Sequence, residues 1–150
     1  MKPRFGLCAV LLTSACASAP APEPVTRVPT SVNAPVSKTW DAVVDLFADK
    51  NIAIRTMDRT SGFISAEPAL VSSEGNAWAK CGGFSIYGGP SSAIYNMLVR
   101  GDTTRSTVRM TVKWTHASRA GIDKTRECST TGVLEDQIES QIRARAESKP

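Results

Sequence analysis

Hydrophobic and polar positions change rhythm several times along this chain, and each rhythm predicts a different element. Met1-Lys2-Pro3-Arg4 makes a positive start, and Phe5 to Thr13 (FGLCAVLLT) is a short apolar run. A membrane-spanning helix needs about 20 apolar residues, so this run has the length of an export signal instead. Residues 17–31 (ASAPAPEPVTRVPTS) have no apolar period. Pro20, Pro22, Pro24 and Pro29 there predict an extended, semi-rigid spacer, and ten such residues at about 3 Å each span roughly 30 Å. Residues 26–33 suit an edge strand opening the folded part, where Pro29 is tolerated.

Helical spacing begins at Pro35. Val36, Trp40, Val43, Val44 and Phe47 recur on one face as far as Lys50, with Lys38, Asp41, Asp45 and Asp49 away from it. Pro35 suits the first helical turn. Ile52 to Met57 reads as a strand, Asp58-Arg59-Thr60-Ser61-Gly62 as a turn, and Phe63 to Glu67 as the return strand. Pro68 to Pro90 is irregular and glycine-rich, and reads as a long surface loop.

Period two then takes over. Val108, Met110, Val112 and Trp114 alternate with Thr107, Arg109, Thr111, Lys113 and Thr115. One dry and one wet face mark an antiparallel sheet covered on one side. Tyr95–Arg100 is the partner strand, across Gly101-Asp102-Thr103-Thr104. Residues 116–123 read as a turn, and 124–130 as a last strand. Gly132 to about Ala146 closes the chain as a helix with a Leu134, Ile138, Ile142 stripe. Glu135, Asp136 and Glu139 sit early and Arg143 and Arg145 late, the order a helix dipole favours, with Thr131 as the expected N-cap. Two amphipathic helices on one face of an antiparallel sheet make a two-layer α+β domain, expected over residues 32–150.

Cysteine chemistry changes the picture at the N-terminus. Thr13-Ser14-Ala15-Cys16 resembles the bacterial lipobox, with Thr13 where Leu is commonest. That resemblance implies removal of residues 1–15 and acylation of Cys16; two or more chains hold stably to a membrane, one only marginally. Ala17 after the cysteine implies sorting to the outer membrane, facing the periplasm. Ordinary secretion is the alternative, since Ala17-Ser18-Ala19 has the small-x-small form, although Pro20 follows that cut. Cys8 leaves with the signal and lipid occupies Cys16. Cys81 and Cys128 then remain for one disulfide, whose loop stabilises by about 4 kcal/mol in the chain-entropy view.

Charge removes one class of function. Residues 1–15 hold Lys2 and Arg4 and no acid, so the formal charge of +4 falls to +2 without them. Nucleic-acid binding needs a far stronger basic bias.

The chemistry-bearing residues are sparse. Cys81, Cys128 and His116 lack the C-x-x-C or paired-His spacing of a zinc site, so no metal is expected. The glycines do not form a phosphate loop, there is no nucleophile elbow, and no cofactor motif is present. His116, the single histidine, falls in an expected solvent-exposed turn. The row Asp41, Asp45, Asp49 reads as a solvated face. Trp78 either packs the long loop down or anchors a partner. Arg105, Arg109 and Lys113 on the wet face either bind a protein partner or keep the sheet soluble.

Val36 to Asp45 (VSKTWDAVVD) and Asp58 to Ser65 (DRTSGFIS) carry a family resemblance. Trp in an amphipathic helix, a strand, an Asp-x-x-Ser-Gly turn and a second strand are similar to the repeat unit of the BamC (NlpB) lipoproteins. Those have a helix-grip fold and accompany outer-membrane β-barrel assembly. The present chain has room for one such unit and a short linker, where that family has two units and a long N-terminal segment. The resemblance implies a non-catalytic accessory or scaffold lipoprotein with an envelope protein partner. The alternative is a small-ligand or lipid-binding module. A cavity of several hundred Å3 behind the Trp40–Phe47 helix would mark the second, and a filled core the first.

Overall fold

The computed structural model describes residues 26–68, 74–81, 89–117 and 125–148. Cys16 and the export-signal pattern lie outside those residues. A short strand, β1 (Thr30–Val32), follows Pro29 and leads into helix α1 (Val36–Asp49). Pro35 stands at the N-cap with extended backbone, one position before the expected helical turn. Its locked φ allows either placement, because proline leaves ψ free. The Val36 N–H, which has no helical acceptor, donates to the Asp102 carbonyl at 2.9 Å. The helix stops because Asn51 takes a left-handed φ of 54°, which asparagine does at small cost.

Strands β2 (Ile52–Asp58) and β3 (Phe63–Pro68) form a hairpin. Asp58 Oδ1 accepts the N–H groups of Thr60 and Ser61, which ties the turn. Gly62 has φ 66°, and a Cβ there would lie 2.0 Å from the Val99 carbonyl oxygen. Only glycine lets this turn approach the next long strand so closely.

Between the hairpins, a one-turn helix α2 (Gly75–Trp78) and strand β4 (Ala79–Lys80) replace part of the expected loop. Weak periodicity hid them, since neither is longer than four residues. Then come β5 (Ser92–Gly101), β6 (Ser106–His116), β7 (Arg126–Thr130) and helix α3 (Val133–Glu147). The β5–β6 hairpin is the one expected, with β5 starting three residues before Tyr95. Thr131 does not cap α3. Its hydroxyl donates to the Ala77 and Trp78 carbonyls, and Gly132 occupies the N-cap at φ 83°.

The described strands form one antiparallel sheet in the order β2-β3-β5-β6-β7-β4, with β1 also paired to β6. The class is therefore α+β. Along β5, Ala93, Tyr95, Met97 and Val99 are buried, and along β6, Ser106, Val108, Met110 and Trp114. The intervening residues face outward, as the two-residue pleat requires. α1 packs on α3, β2, β5 and β6, and α3 on α1, β1 and β6. Phe47, Ile64, Met97, Met110, Trp114 and Ile142 are the large, fully buried side chains of the core.

One edge of β6 is shared. β1 pairs with Ser106 to Val108 and β7 with Trp114 to His116, which leaves a gap between them. Glu139 of α3 fills it: Oε1 accepts the Met110 N–H at 2.7 Å, and Oε2 the Thr30 hydroxyl at 2.5 Å. A buried carboxylate stands in for the missing strand, because an unpaired buried N–H is costly.

Candidate functional site

The outward face of β5 and β6 carries the residues singled out from the sequence. Arg109 and Lys113 alternate with buried neighbours on β6, and Arg105 precedes the strand on the same parity. The structure separates the three by their partners. Lys113 Nζ is 2.5 Å from Glu127 Oε1 on β7, so its charge is matched. Arg105 and Arg109 are exposed; Arg109 has no acidic side-chain partner among the described residues, while the charge of Arg105 acts on nearby Asp102.

Arg100 is the addition. It pairs across the ladder with Thr107, which in turn pairs with Ser31, so the three form one outward row. Where this row meets the β5–β6 turn lies a groove of about 320 Å3, open to solvent, lined among others by Ser31, Asn33, Arg100, Arg105 and Thr107. The turn shapes one wall. Gly101 has φ 148°, and a Cβ there would fall 2.3 Å from the Arg105 carbonyl oxygen. Asp102 Oδ1 accepts from Arg105 N–H, Thr104 N–H and the Thr104 hydroxyl. The Arg105 N–H bond, the Thr104 bonds and the Arg105 charge hold the Asp102 carboxyl down to about 2. Arg100 was legible from the alternation Ile94, Asn96, Leu98, Arg100. Ser31 and Asn33 were not, because their closeness depends on long-range strand pairing.

A second polar cluster lies inside. Glu135 and Glu139, one helical turn apart on α3, are 0% and 1% exposed. The sequence marked both only as early acids that suit the helix dipole; the structure buries them. Arg27 Nη2 contacts Glu139 at 3.6 Å and Asp136 at 2.5 Å. Burial alone would lower the Arg27 guanidinium, but the Asp136 hydrogen bond and the nearby carboxylates outweigh it and hold it above its ordinary value. Glu135 Oε1 accepts the Thr130 hydroxyl at 2.7 Å, while its Oε2 and the Trp114 indole N–H have no hydrogen-bond partner among the described residues. Burial, then the charge of Glu135, pushes the Tyr95 hydroxyl up to about 12. Tyr95 therefore stays a neutral phenol at physiological pH.

The remaining candidates fall elsewhere. Cys81 and Cys128 are disulfide-bonded, as the cysteine arithmetic anticipated, joining the end of β4 to β7. Trp78 is half-buried, its ring 6.2 Å from that of Trp114, and its carbonyl accepts the Thr131 N–H. His116 ends β6 instead of standing in an exposed turn, with Nδ1 2.7 Å from the Gly89 carbonyl. The strand runs one pair further than the alternation suggested, since His116 pairs with Arg126. Asp41 and Asp49 meet Arg59 and Arg145 on the surface. No group of three metal-binding side chains occurs among the described residues.

No model of a known protein family matches the chain, and no curated protein sequence matches it.

Proposed function

We propose that this chain is a non-catalytic envelope lipoprotein, held through acylated Cys16 at the outer membrane and facing the periplasm. Residues 32–150 act as a single helix-grip-like domain of the BamC kind, with α1 and α3 side by side on one face of the sheet. Its work is to bind an envelope protein as an accessory or scaffold in outer-membrane protein assembly.

The observation that carries this reading is the order at the N-terminus: two cations, a nine-residue apolar run, Ser14-Ala15-Cys16, and a proline-rich spacer. The packing of α1 supports a scaffold over an internal-cavity module: Trp40, Val43 and Phe47 belong to the same buried cluster as Ile64, Met97 and Met110. The disulfide suits an oxidising compartment. Exposed Arg105 and Arg109 on the outward face suit a partner surface, because their charges can complement those of a partner there.

Growth with a labelled fatty acid tests the anchor. Label should enter the native protein and be absent from Cys16→Ser; label persisting in that variant refutes acylation at Cys16. Crosslinking in intact envelopes tests the partner. A discrete adduct that weakens in Arg105→Gln/Arg109→Gln supports the open face, and an adduct indifferent to both changes moves the partner elsewhere.

A further inference from the structure

We infer that the groove beside the β5–β6 turn binds a phosphate group, presented on a small organic molecule or a lipid. This stands apart from the scaffold reading, since it concerns a ligand and not a protein partner.

Three observations meet there. The first is charge: Arg100 and Arg105 line the groove, Arg100 with no acidic side-chain partner among the described residues, and Arg109 lies two residues beyond Thr107 on the same face. The nearest acids are engaged. Asp102 Oδ1 is taken by the Thr104 and Arg105 donors, although its charge still offsets part of that of Arg105. Glu147 accepts the Asn33 N–H at 2.7 Å. The second is donor type. The Ser31 and Thr107 hydroxyls and the Asn33 side-chain amide line the same groove, and each can donate a hydrogen bond to an anion. The third is size: about 320 Å3 exceeds a bare ion and sits at the lower end of small-molecule sites, roughly 300–1,000 Å3.

Donor count decides between anions. One guanidinium fork already engages both oxygens of a carboxylate. A phosphate has more oxygens, enough for two forks and a hydroxyl together, so it uses the set more fully than a carboxylate does. In the free protein Arg100 Nη1 rests over the β2–β3 turn, 3.7 Å from where a Gly62 Cβ would lie. Binding would draw this exposed arginine from that turn toward Thr107, and ordering its side chain costs entropy.

The test uses the full chain carrying Cys16→Ser, labelled with 15N, so that acyl groups do not drive vesicle binding. Inorganic phosphate should shift the amides of Ser31, Asn33, Gly101 and Thr107 saturably. Arg100→Gln/Arg105→Gln should weaken the effect at least tenfold, about 1.4 kcal/mol, with an unchanged thermal melt. Lys113→Gln, whose charge is already matched by Glu127, should leave it unaltered. Phosphatidylcholine vesicles with and without phosphatidic acid separate the sources. Binding only to the doped vesicles, tighter than to free phosphate, assigns a lipid headgroup; free phosphate or glycerol phosphate binding without vesicle binding assigns a soluble ester. Shifts equal with acetate, shifts retained in the double arginine variant, or no saturable shift with any phosphate would each overturn the assignment.

Discussion

Helix α1 carries three carboxylates and α3 four, and two of the α3 set meet a fate none of the α1 set shares. Asp41, Asp45 and Asp49 of α1 all face solvent. On α3, Asp136 is 74% exposed at its side chain while Glu135 and Glu139 are sealed inside. Residue type does not explain the difference; position against the apolar stripe does. Positions four apart on a helix drift by about 40°, so a long stripe sweeps sideways along it. On α3 the stripe Leu134, Ile138, Ile142 and Ala146 sweeps across the angle of Glu135 and close to that of Glu139. On α1 the buried set includes Thr39, Ala42 and Leu46, and centres away from all three aspartates. An acid within the swept arc has to be matched by donors. Glu139 is matched by Met110, Thr30 and Arg27, whereas Glu135 is matched only at Oε1.

The largest effect should come from Glu139. Glu139→Ala orphans the Met110 N–H and leaves Arg27 less well paired, at a cost of about 2–4 kcal/mol. The matching change on α1, Asp45→Ala, should stay within about 0.5 kcal/mol. Urea unfolding with equal m-values reads both. Equal losses would erase the contrast between the helices.

Glu135 should behave in the opposite sense. Its Oε2 is buried without a donor among the described residues, which leaves a polar atom unsatisfied. Glu135→Gln keeps the acceptor for Thr130 and removes the charge, and should be neutral or stabilising by up to about 2 kcal/mol. The same urea series checks the sign. A clear destabilisation would mean that Oε2 is already satisfied.

This contrast also marks what the sequence could disclose. The apolar faces of both helices, the β5–β6 hairpin and the disulfide follow from spacing and cysteine count, because each depends on local period or elimination. Burial of Glu139 was hidden, since its reason is a gap left between β1 and β7 on a strand thirty residues away. Thr131 looked like a cap by residue type, but the Ala77 and Trp78 carbonyls compete for its hydroxyl. β4 is two residues long and is held by pairing with β7, so no pattern within it could announce it. Arg105 and Arg109 were legible as outward by parity, yet only the ladder brings Arg100 and Ser31 beside them.

Exposed carboxylates can also be tightly held, which sharpens the comparison through pH. Asp102 is fully exposed, but the Arg105 N–H and the Thr104 hydroxyl and N–H bring it down to about 2. An unfolded aspartate titrates near 3.9. A depressed folded-state value means that the carboxylate's contribution is full above about pH 4 and is lost as pH falls toward 2. Asp102→Asn lacks this titration. Its stability should therefore fall less steeply than that of the parent between about pH 4 and pH 2, as urea midpoints across that window will show. Parallel curves would mean that the turn donors do not distinguish folded from unfolded chains.

The smallest effect belongs to the ion pair linking the two helices. Asp49 Oδ2 lies 2.6 Å from Arg145 Nη2, with side-chain exposures of 61% and 37%. Water screens such a pair, and fixing two mobile side chains offsets much of its attraction. A double-mutant cycle of Asp49→Ala and Arg145→Ala should give a coupling of about 0.2–1 kcal/mol, fading as salt shortens the screening length. Coupling comparable to that of Glu139 would show that closeness between α1 and α3, and not burial, governs these acids. Near-zero coupling at high salt, with Glu139→Ala unchanged by salt, would place the cause in desolvation, where a carboxylate inside the sheet gap has no water to fall back on.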